Sequence, residues 1–228
     1  MPLTDQATDK GGADEAGASG DQDLHRKRLA SGPVWYQAPV PLVVVVRHGA
    51  TEWSDAGRHT SRTDLPLTDA GRTVATSLTM VLAHRTWAQV LTSPRLRARE
   101  TAALAGLGER AVVQDDLAEW DYGDYEGLTT EEIRRLDPGW SIWERGAPAG
   151  ESPADVGRRV DAVIARLRSS SGDVVVFSHG HLLRALAARW VGLGVEWGRA
   201  LTLGAGRCGA LGYERETPAL LTWNAPGL

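Results

Sequence analysis

A chain of 228 residues with 42% hydrophobic side chains can bury a substantial core in one unit, and its formal charge of -4 gives no general attraction to nucleic acid or anionic membranes. The single cysteine, Cys208, excludes an internal disulfide and fits a reducing, cytoplasmic compartment. No apolar stretch approaches the length of a bilayer span, and the first residues lack the basic-then-apolar pattern of a secretory signal.

Residues 1–23 are rich in Gly, Ala, Asp and Ser and are followed by the basic cluster His25-Arg26-Lys27-Arg28. With hardly an aliphatic side chain to bury, this segment cannot offset its ordering entropy, so residues 1–32 are expected to be a disordered tail and the basic run a solvated one. The folded domain is then residues 33–228. Its first element is the apolar run Leu42-Val43-Val44-Val45-Val46, bounded by Pro41 and the tripeptide Arg47-His48-Gly49. An unbroken valine run of this length reads as a buried parallel strand, which puts the guanidinium and imidazole at its carboxyl end, the edge where open α/β sheets bind ligands.

Thr68-Asp69 can cap a helix over 68–84 whose apolar face is Val74, Leu78, Val81 and Leu82. Residues 89–92 form a short strand, and Ser93-Pro94 supplies an N-cap and an N1 proline for a helix over 95–104. A helix over 153–167 carries Val156, Val160, Val163, Ile164 and Leu167. The strand 173–178 then runs into His179-Gly180-His181 and a helix over 182–191, repeating the first arrangement. Strands near 209–213 and 220–223 close the domain. The succession predicts an α/β fold, a three-layer α/β/α sandwich with a mostly parallel central sheet.

Gly204-Ala205-Gly206-Arg207-Cys208-Gly209 matches the dinucleotide fingerprint letter for letter, but a strand follows it where a helix is required, so it reads as a turn. No Cys-x-x-Cys or His-Glu-x-x-His spacing occurs, and neither a metal nor a cofactor is expected. A lone histidine at a strand end is as well explained by a structural hydrogen bond. Two of them, each beside a glycine and one beside an arginine, suit a phosphate dianion better. A neutral imidazole held among such cations can attack phosphorus and form a phosphohistidine.

These residues resemble the histidine phosphatase superfamily, from about Val43 to the C-terminus. Arg47-His48-Gly49-Ala50-Thr51-Glu52-Trp53-Ser54 is similar to its first block, in which His48 corresponds to the nucleophile. Residues 60–68 resemble its Thr-Gly-x-x-Asp-x-x-Leu-Thr loop, and residues 92–102 the helix that brings in a second phosphate-binding arginine, here Arg97. Glu119, in Glu119-Trp120-Asp121-Tyr122-Gly123, matches the proton donor, and His179 the second histidine. The resemblance thus implies a phosphoglycerate mutase-like fold and a catalytic set of Arg47, His48, Arg97, Glu119 and His179. It implies substrate contacts from Ser54, Thr60, Ser61, Arg62, Tyr122, Gly180 and His181.

Ser54 and Ser61 depart from the family's asparagine and glycine, yet Ser54 keeps a hydroxyl and Ser61 a backbone amide to offer. Arg62 is a candidate for a second anionic group, and Trp120, Tyr122, Trp140 and Trp143 for stacking on a sugar ring, with core packing as the other explanation. The related mutases carry a long insertion after the Glu-x-x-x-Gly block, whereas only residues 128–149 separate Gly127 from Gly150 here. The resemblance therefore implies a metal-independent phosphatase of the sugar-phosphatase and acid-phosphatase branch, acting on small phosphomonoesters, with no nucleic-acid or membrane partner and a homodimer left open. A cofactor-dependent mutase and a non-catalytic phospholigand-binding module are the alternatives.

Overall fold

A computed structural model describes residues 41–227; the expectations for the tail, its basic cluster and the boundary at residue 33 lie outside the described residues. In chain order the elements are β1 (Val43–Arg47), α1 (Glu52–Asp55), α2 (Asp69–Leu82), β2 (Gln89–Thr92), α3 (Leu96–Leu104), β3 (Ala111–Val113), α4 (Thr130–Leu136), α5 (Ile142–Arg145), α6 (Pro153–Arg168), β4 (Val174–Ser178), α7 (Gly180–Trp190), β5 (Cys208–Glu214) and β6 (Thr217–Ala225). They build one six-stranded sheet in the order β3-β2-β4-β1-β5-β6. The strands β1 to β4 are mutually parallel; β5 runs antiparallel to β1, and β6 antiparallel to β5.

The valine run of β1 divides by the period of two that a strand imposes. Val44 and Val46 join Val175, Phe177, Leu78, Leu82 and Ala102 on the face covered by α2 and α3. Val43 and Val45 join Val174, Val176, Val156, Val160, Leu182 and Leu186 on the face covered by α6 and α7. Both faces are dry, which is why the run shows no alternation in sequence, and the three layers are those expected. Among the described residues no helix is long and apolar enough to cross a membrane.

Helix α6 follows its predicted stripe, with Val156, Val160, Val163, Ile164 and Leu167 all buried and a capping box between Ser152 and Asp155. Helix α2 does not. Thr68 caps it as expected, but the buried residues are Gly71, Ala75, Leu78 and Leu82, and Val74 is 41% exposed. The cause is a backbone-on-backbone contact: a Cβ on Gly71 would lie 2.3 Å from the Ala50 carbonyl oxygen, and one on Gly49 2.5 Å from that of Gly71. The helix is rolled so that its smallest residue meets the loop after β1, and Val74 turns outward. Gly49 thus has a packing requirement of its own, to admit the helix.

Two other boundaries differ. Helix α3 starts at Leu96, one residue later than predicted, and Ser93 still serves its entry: the hydroxyl accepts the Arg95 N–H at 3.3 Å while also meeting the site described below. Helix α7 starts at Gly180, two residues before the predicted Leu182. The glycine-rich turn before β5 is a turn as read, and it straps the end of β1: Gly206 donates its N–H to the His48 carbonyl at 2.9 Å, and Arg47 donates its own to Arg207 at 3.0 Å.

Replacing glycine by alanine inside a helix ordinarily stabilises by about 0.5–1 kcal/mol. Gly71→Ala has the opposite sign in this packing. Chemical denaturation is expected to show a loss of about 2 kcal/mol, the usual scale of overpacking.

Candidate active site

Three adjacent parallel strands end at the same edge. The register Arg47↔Ser178 aligns the ends of β1 and β4, and Thr92↔Phe177 aligns β2 with them. Each chain then leaves its strand into the site: His48 after β1, His179 after β4, and Ser93 followed by α3 with Arg97 after β2. The rings of His48 and His179 meet edge to face, with centroids 5.2 Å apart.

His48 is 5% exposed, and its Nδ1 lies 2.7 Å from the carbonyl oxygen of Gly49. A carbonyl can only accept, so Nδ1 carries the proton and Nε2 is left with its lone pair. Burial, followed by the charges of Arg47 and Arg97, holds this imidazole well below its ordinary pKa and hence neutral. His179 is fully buried and neutral for the same reasons, burial first and then the charge of Arg97. Its Nε2 lies 2.7 Å from the Ser93 hydroxyl, while its Nδ1 has no partner among the described residues. The Nε atoms of Arg47 and Arg97 are likewise buried and unpartnered. Buried donors are ordinarily satisfied, so three orphans around one neutral histidine suit an anionic ligand.

Arg97 is held by carbonyls. Its Nη1 donates to Thr63 at 3.0 Å and its Nη2 to Thr60 at 2.9 Å. The loop that presents those carbonyls is pinned from its other side by Glu126, whose carboxylate accepts from the Ser61 amide at 2.9 Å, the Ser61 hydroxyl at 2.6 Å and the Thr63 amide at 3.0 Å. Burial opposes ionisation of Glu126, but these hydrogen bonds outweigh it and hold the carboxyl below its ordinary pKa.

Glu119 arrives from a different direction. Its Oε1 accepts from the amides of Trp120 at 2.9 Å and Leu182 at 2.8 Å, and its Oε2 from the His181 amide at 3.1 Å. The first turn of α7 therefore supplies two of its three donors, a placement the helix dipole favours for a carboxylate. The segment leading into Glu119 is fixed by Arg159 on α6, which donates to the carbonyls of Asp116 at 2.8 Å and Ala118 at 2.7 Å and pairs bidentately with Glu151.

A solvent-open cavity of about 200 Å³ is lined by Arg47, His48 and Glu119 together with Ser54, Thr60, Tyr122, Gly180 and His181. Arg97 and His179 are fully buried and do not reach its wall. Two predicted contacts are corrected. Arg62 points to a separate depression and pairs with Asp121, so its charge is not offered to the cavity. Ser61 is buried, and the amide expected to face a ligand donates to Glu126 instead.

Ser54 lines the wall, but its hydroxyl closes the capping box of α1 with Thr51. Gly180 makes room for Arg47, whose Cζ would lie 3.3 Å from a Cβ there. Of the four aromatic candidates only Tyr122 lines the cavity; Trp120, Trp140 and Trp143 belong to the core. Tyr122 is a neutral phenol, its pKa raised by burial, and its hydroxyl lies 2.5 Å from His181 Nδ1.

The cavity also holds residues the sequence did not single out: Arg58, His59 and Arg184. Arg184 stacks on Trp143 at 4.7 Å from the ring centroid and donates its Nε to the Gly198 carbonyl. Its place on α7, one turn beyond Gly180, could have signalled it. Among the described residues no three His, Cys, Asp or Glu side chains cluster as metal ligands. A neutral imidazole, fixed guanidiniums and a nearby carboxyl can bind a dianion, attack it and exchange a proton with it.

The sequence pattern described as "Histidine phosphatase superfamily (branch 1)" matches residues 43–226. An acid phosphatase of Mycobacterium tuberculosis is 44% identical over 176 residues, covering 75% of this chain and 86% of that protein. A sedoheptulose 1,7-bisphosphatase of Saccharomyces cerevisiae is 40% identical over 188 residues, covering 68% and 69%. The solved structure of an open-reading-frame product from Mycobacterium tuberculosis superposes with a TM-score of 0.77 at 42% identity, covering 81% of this chain and 97% of that one.

The Glu126 latch has a pH signature. Its folded-state pKa is depressed, so the stability it contributes is present above about pH 4.5, its ordinary value, and is lost as pH falls through the lower folded value. Glu126→Gln is expected to cost about 2 kcal/mol at neutral pH, the scale of a hydrogen bond to a charged group. In denaturant titrations the two proteins should converge on acidification; a constant difference would contradict the latch.

Proposed function

This chain belongs to branch 1 of the histidine phosphatase superfamily and is a phosphatase, and we propose that it hydrolyses small phosphomonoesters, sugar phosphates or phosphoglycerate-type, through a phosphohistidine on His48 without a metal. The observation that carries this reading is the state of His48. Its Nδ1 proton is committed to Gly49, and it is neutral and beside two guanidiniums, which leaves Nε2 as a nucleophile at the cavity wall.

In the first step Nε2 attacks phosphorus as the bond to the leaving alkoxide breaks. The equatorial oxygens are met by Arg47 at the wall, and, as the phosphate settles inward past it, by the unpartnered Nε of Arg97 and Nδ1 of His179 that lie buried behind it, with Ser93 donating to the Nε2 of that ring. Glu119, which must enter this step as the carboxylic acid, gives the alkoxide its proton and is left as the carboxylate. Oε2 is the oxygen for that traffic, because it accepts one backbone N–H where Oε1 accepts two. In the second step water attacks phospho-His48, Glu119 takes its proton, and phosphate departs.

Hydrolysis is favoured over transfer to a second sugar because residues 128–149 fold into only the short α4 and α5 and leave the cavity open to water. A binding-only role is disfavoured by the presence of both His48 and Glu119.

Phosphate release from sugar phosphates and phosphoglycerates is expected to persist in the presence of a chelator and to fall on the order of 1,000-fold or more in His48→Ala. Glu119→Gln should accumulate acid-labile phosphoenzyme with substrates whose leaving group needs no proton. Because the free enzyme's His48 is held below the ordinary value of 6.5, the acid limb of kcat/KM should lie below pH 6.5. Release that survives His48→Ala would overturn the assignment.

A further inference from the structure

His59 is 8% exposed, lines the cavity and has no part in the steps above. Its backbone N–H and its Nδ1 both meet the carbonyl of Leu128, each at 2.9 Å, while Gly127 donates back to the His59 carbonyl at 2.8 Å. The carbonyl can only accept, so the ring proton sits on Nδ1 and Nε2 is an acceptor. Among the described residues nothing donates to that Nε2. Burial also keeps the ring below its ordinary pKa, so the lone pair is retained at neutral pH. Edge contacts with Tyr122 and Trp140, at centroid distances of 4.7 and 5.3 Å, fix the ring's orientation, and His181 lies parallel to it at 5.9 Å.

The phosphate end of the cavity is rich in donors, as a dianion requires. An acceptor locked in place in the same cavity asks for the reverse chemistry, a group that donates. Resting on the phosphatase reading above, we propose that His59 is a specificity-determining residue, whose Nε2 accepts a hydrogen bond from a hydroxyl of the leaving group and so selects hydroxylated phosphoesters over those without a hydroxyl there. A leaving group lacking the hydroxyl would displace water from Nε2 and leave a buried acceptor unpaired, which is how a polar site rejects a poorer match.

The competing role is purely structural, the latch to Leu128, and two substitutions separate the roles. The amide nitrogen of asparagine falls where Nδ1 is, so His59→Asn can keep the latch and lacks Nε2. The amide of glutamine reaches the Nε2 position, so His59→Gln can restore an acceptor. The readout is the ratio of kcat/KM for the best-used member of a panel of glycerol 3-phosphate, glucose 6-phosphate and fructose 1,6-bisphosphate to that for phenyl phosphate, which has no hydroxyl.

His59→Asn is expected to lower this ratio about tenfold, in keeping with one lost hydrogen bond, and His59→Gln to recover most of it. A parallel fall for both substrates, or no change for either, would overturn the proposal and leave the latch. Wild-type protein that hydrolyses phenyl phosphate but no member of the panel would overturn it while sparing the phosphatase reading. Wild-type protein that releases phosphate from none of them would sink that reading itself.

Discussion

The parallel pairing of β1 with β4 is the constraint on which the site depends. Five consecutive register pairs, from Val43↔Val174 to Arg47↔Ser178, end the two strands level, and the next residue of each is a histidine. The His48 amide continues the ladder by donating to the Ser178 carbonyl at 3.0 Å. Two imidazoles 131 positions apart in sequence are thus brought side by side by backbone hydrogen bonds, and the Gly49 carbonyl and Ser93 hydroxyl then orient the rings. Register in a sheet buried on both faces is strongly specified, so the geometry is as firm as the core beneath it.

Depth then sets the chemistry. Strand ends that emerge from a dry core deliver their side chains into a region where ions are costly, and the imidazoles respond by staying neutral. The guanidiniums cannot shed their charge, so the fold surrounds them with carbonyls: Leu203 for Arg47, Thr60 and Thr63 for Arg97. Among the described residues the one carboxylate lining the same cavity, Glu119, is held by backbone amides and not by either arginine. Charges that are positioned but not neutralised by one another are a preorganised environment for a substrate that brings its own negative charge.

Much of this was legible in the chain. The valine runs and the tripeptides after them located both histidines, the stripe of α6 was complete, and the spacing around Arg97 and Glu119 was carried by local motifs. What escaped was long-range. Val74 belongs to the apolar period of α2, yet Gly71 against Ala50 decides the roll of the helix, and no local pattern reports a contact between the backbones of a helix and a loop 21 positions before it. Ser93-Pro94 has the form of a helix cap and takes the Arg95 N–H as one, but nothing local tells that His179, 86 positions later, shares the hydroxyl. Arg62 beside Ser61 looked like an anion contact until Asp121 was brought alongside it. His59 and Glu126 carried no local signal, since each acquires its role only when residues 58–63 and 121–129 lie together.

The strap before β5 bears on how the protein is made. The end of β1 is secured by Gly206 and Arg207, β1 pairs along its length with β5, and β5 pairs with β6 as far as Ala225. The backbone at His48 is therefore completed by nearly the last described residues. A ribosome that has delivered the first three strands, and even β4 and α7, has delivered every side chain proposed for catalysis but no finished site. Activity on the nascent chain must await release of the C-terminal hairpin, and a stalled or clipped product would carry the whole catalytic set without its scaffold.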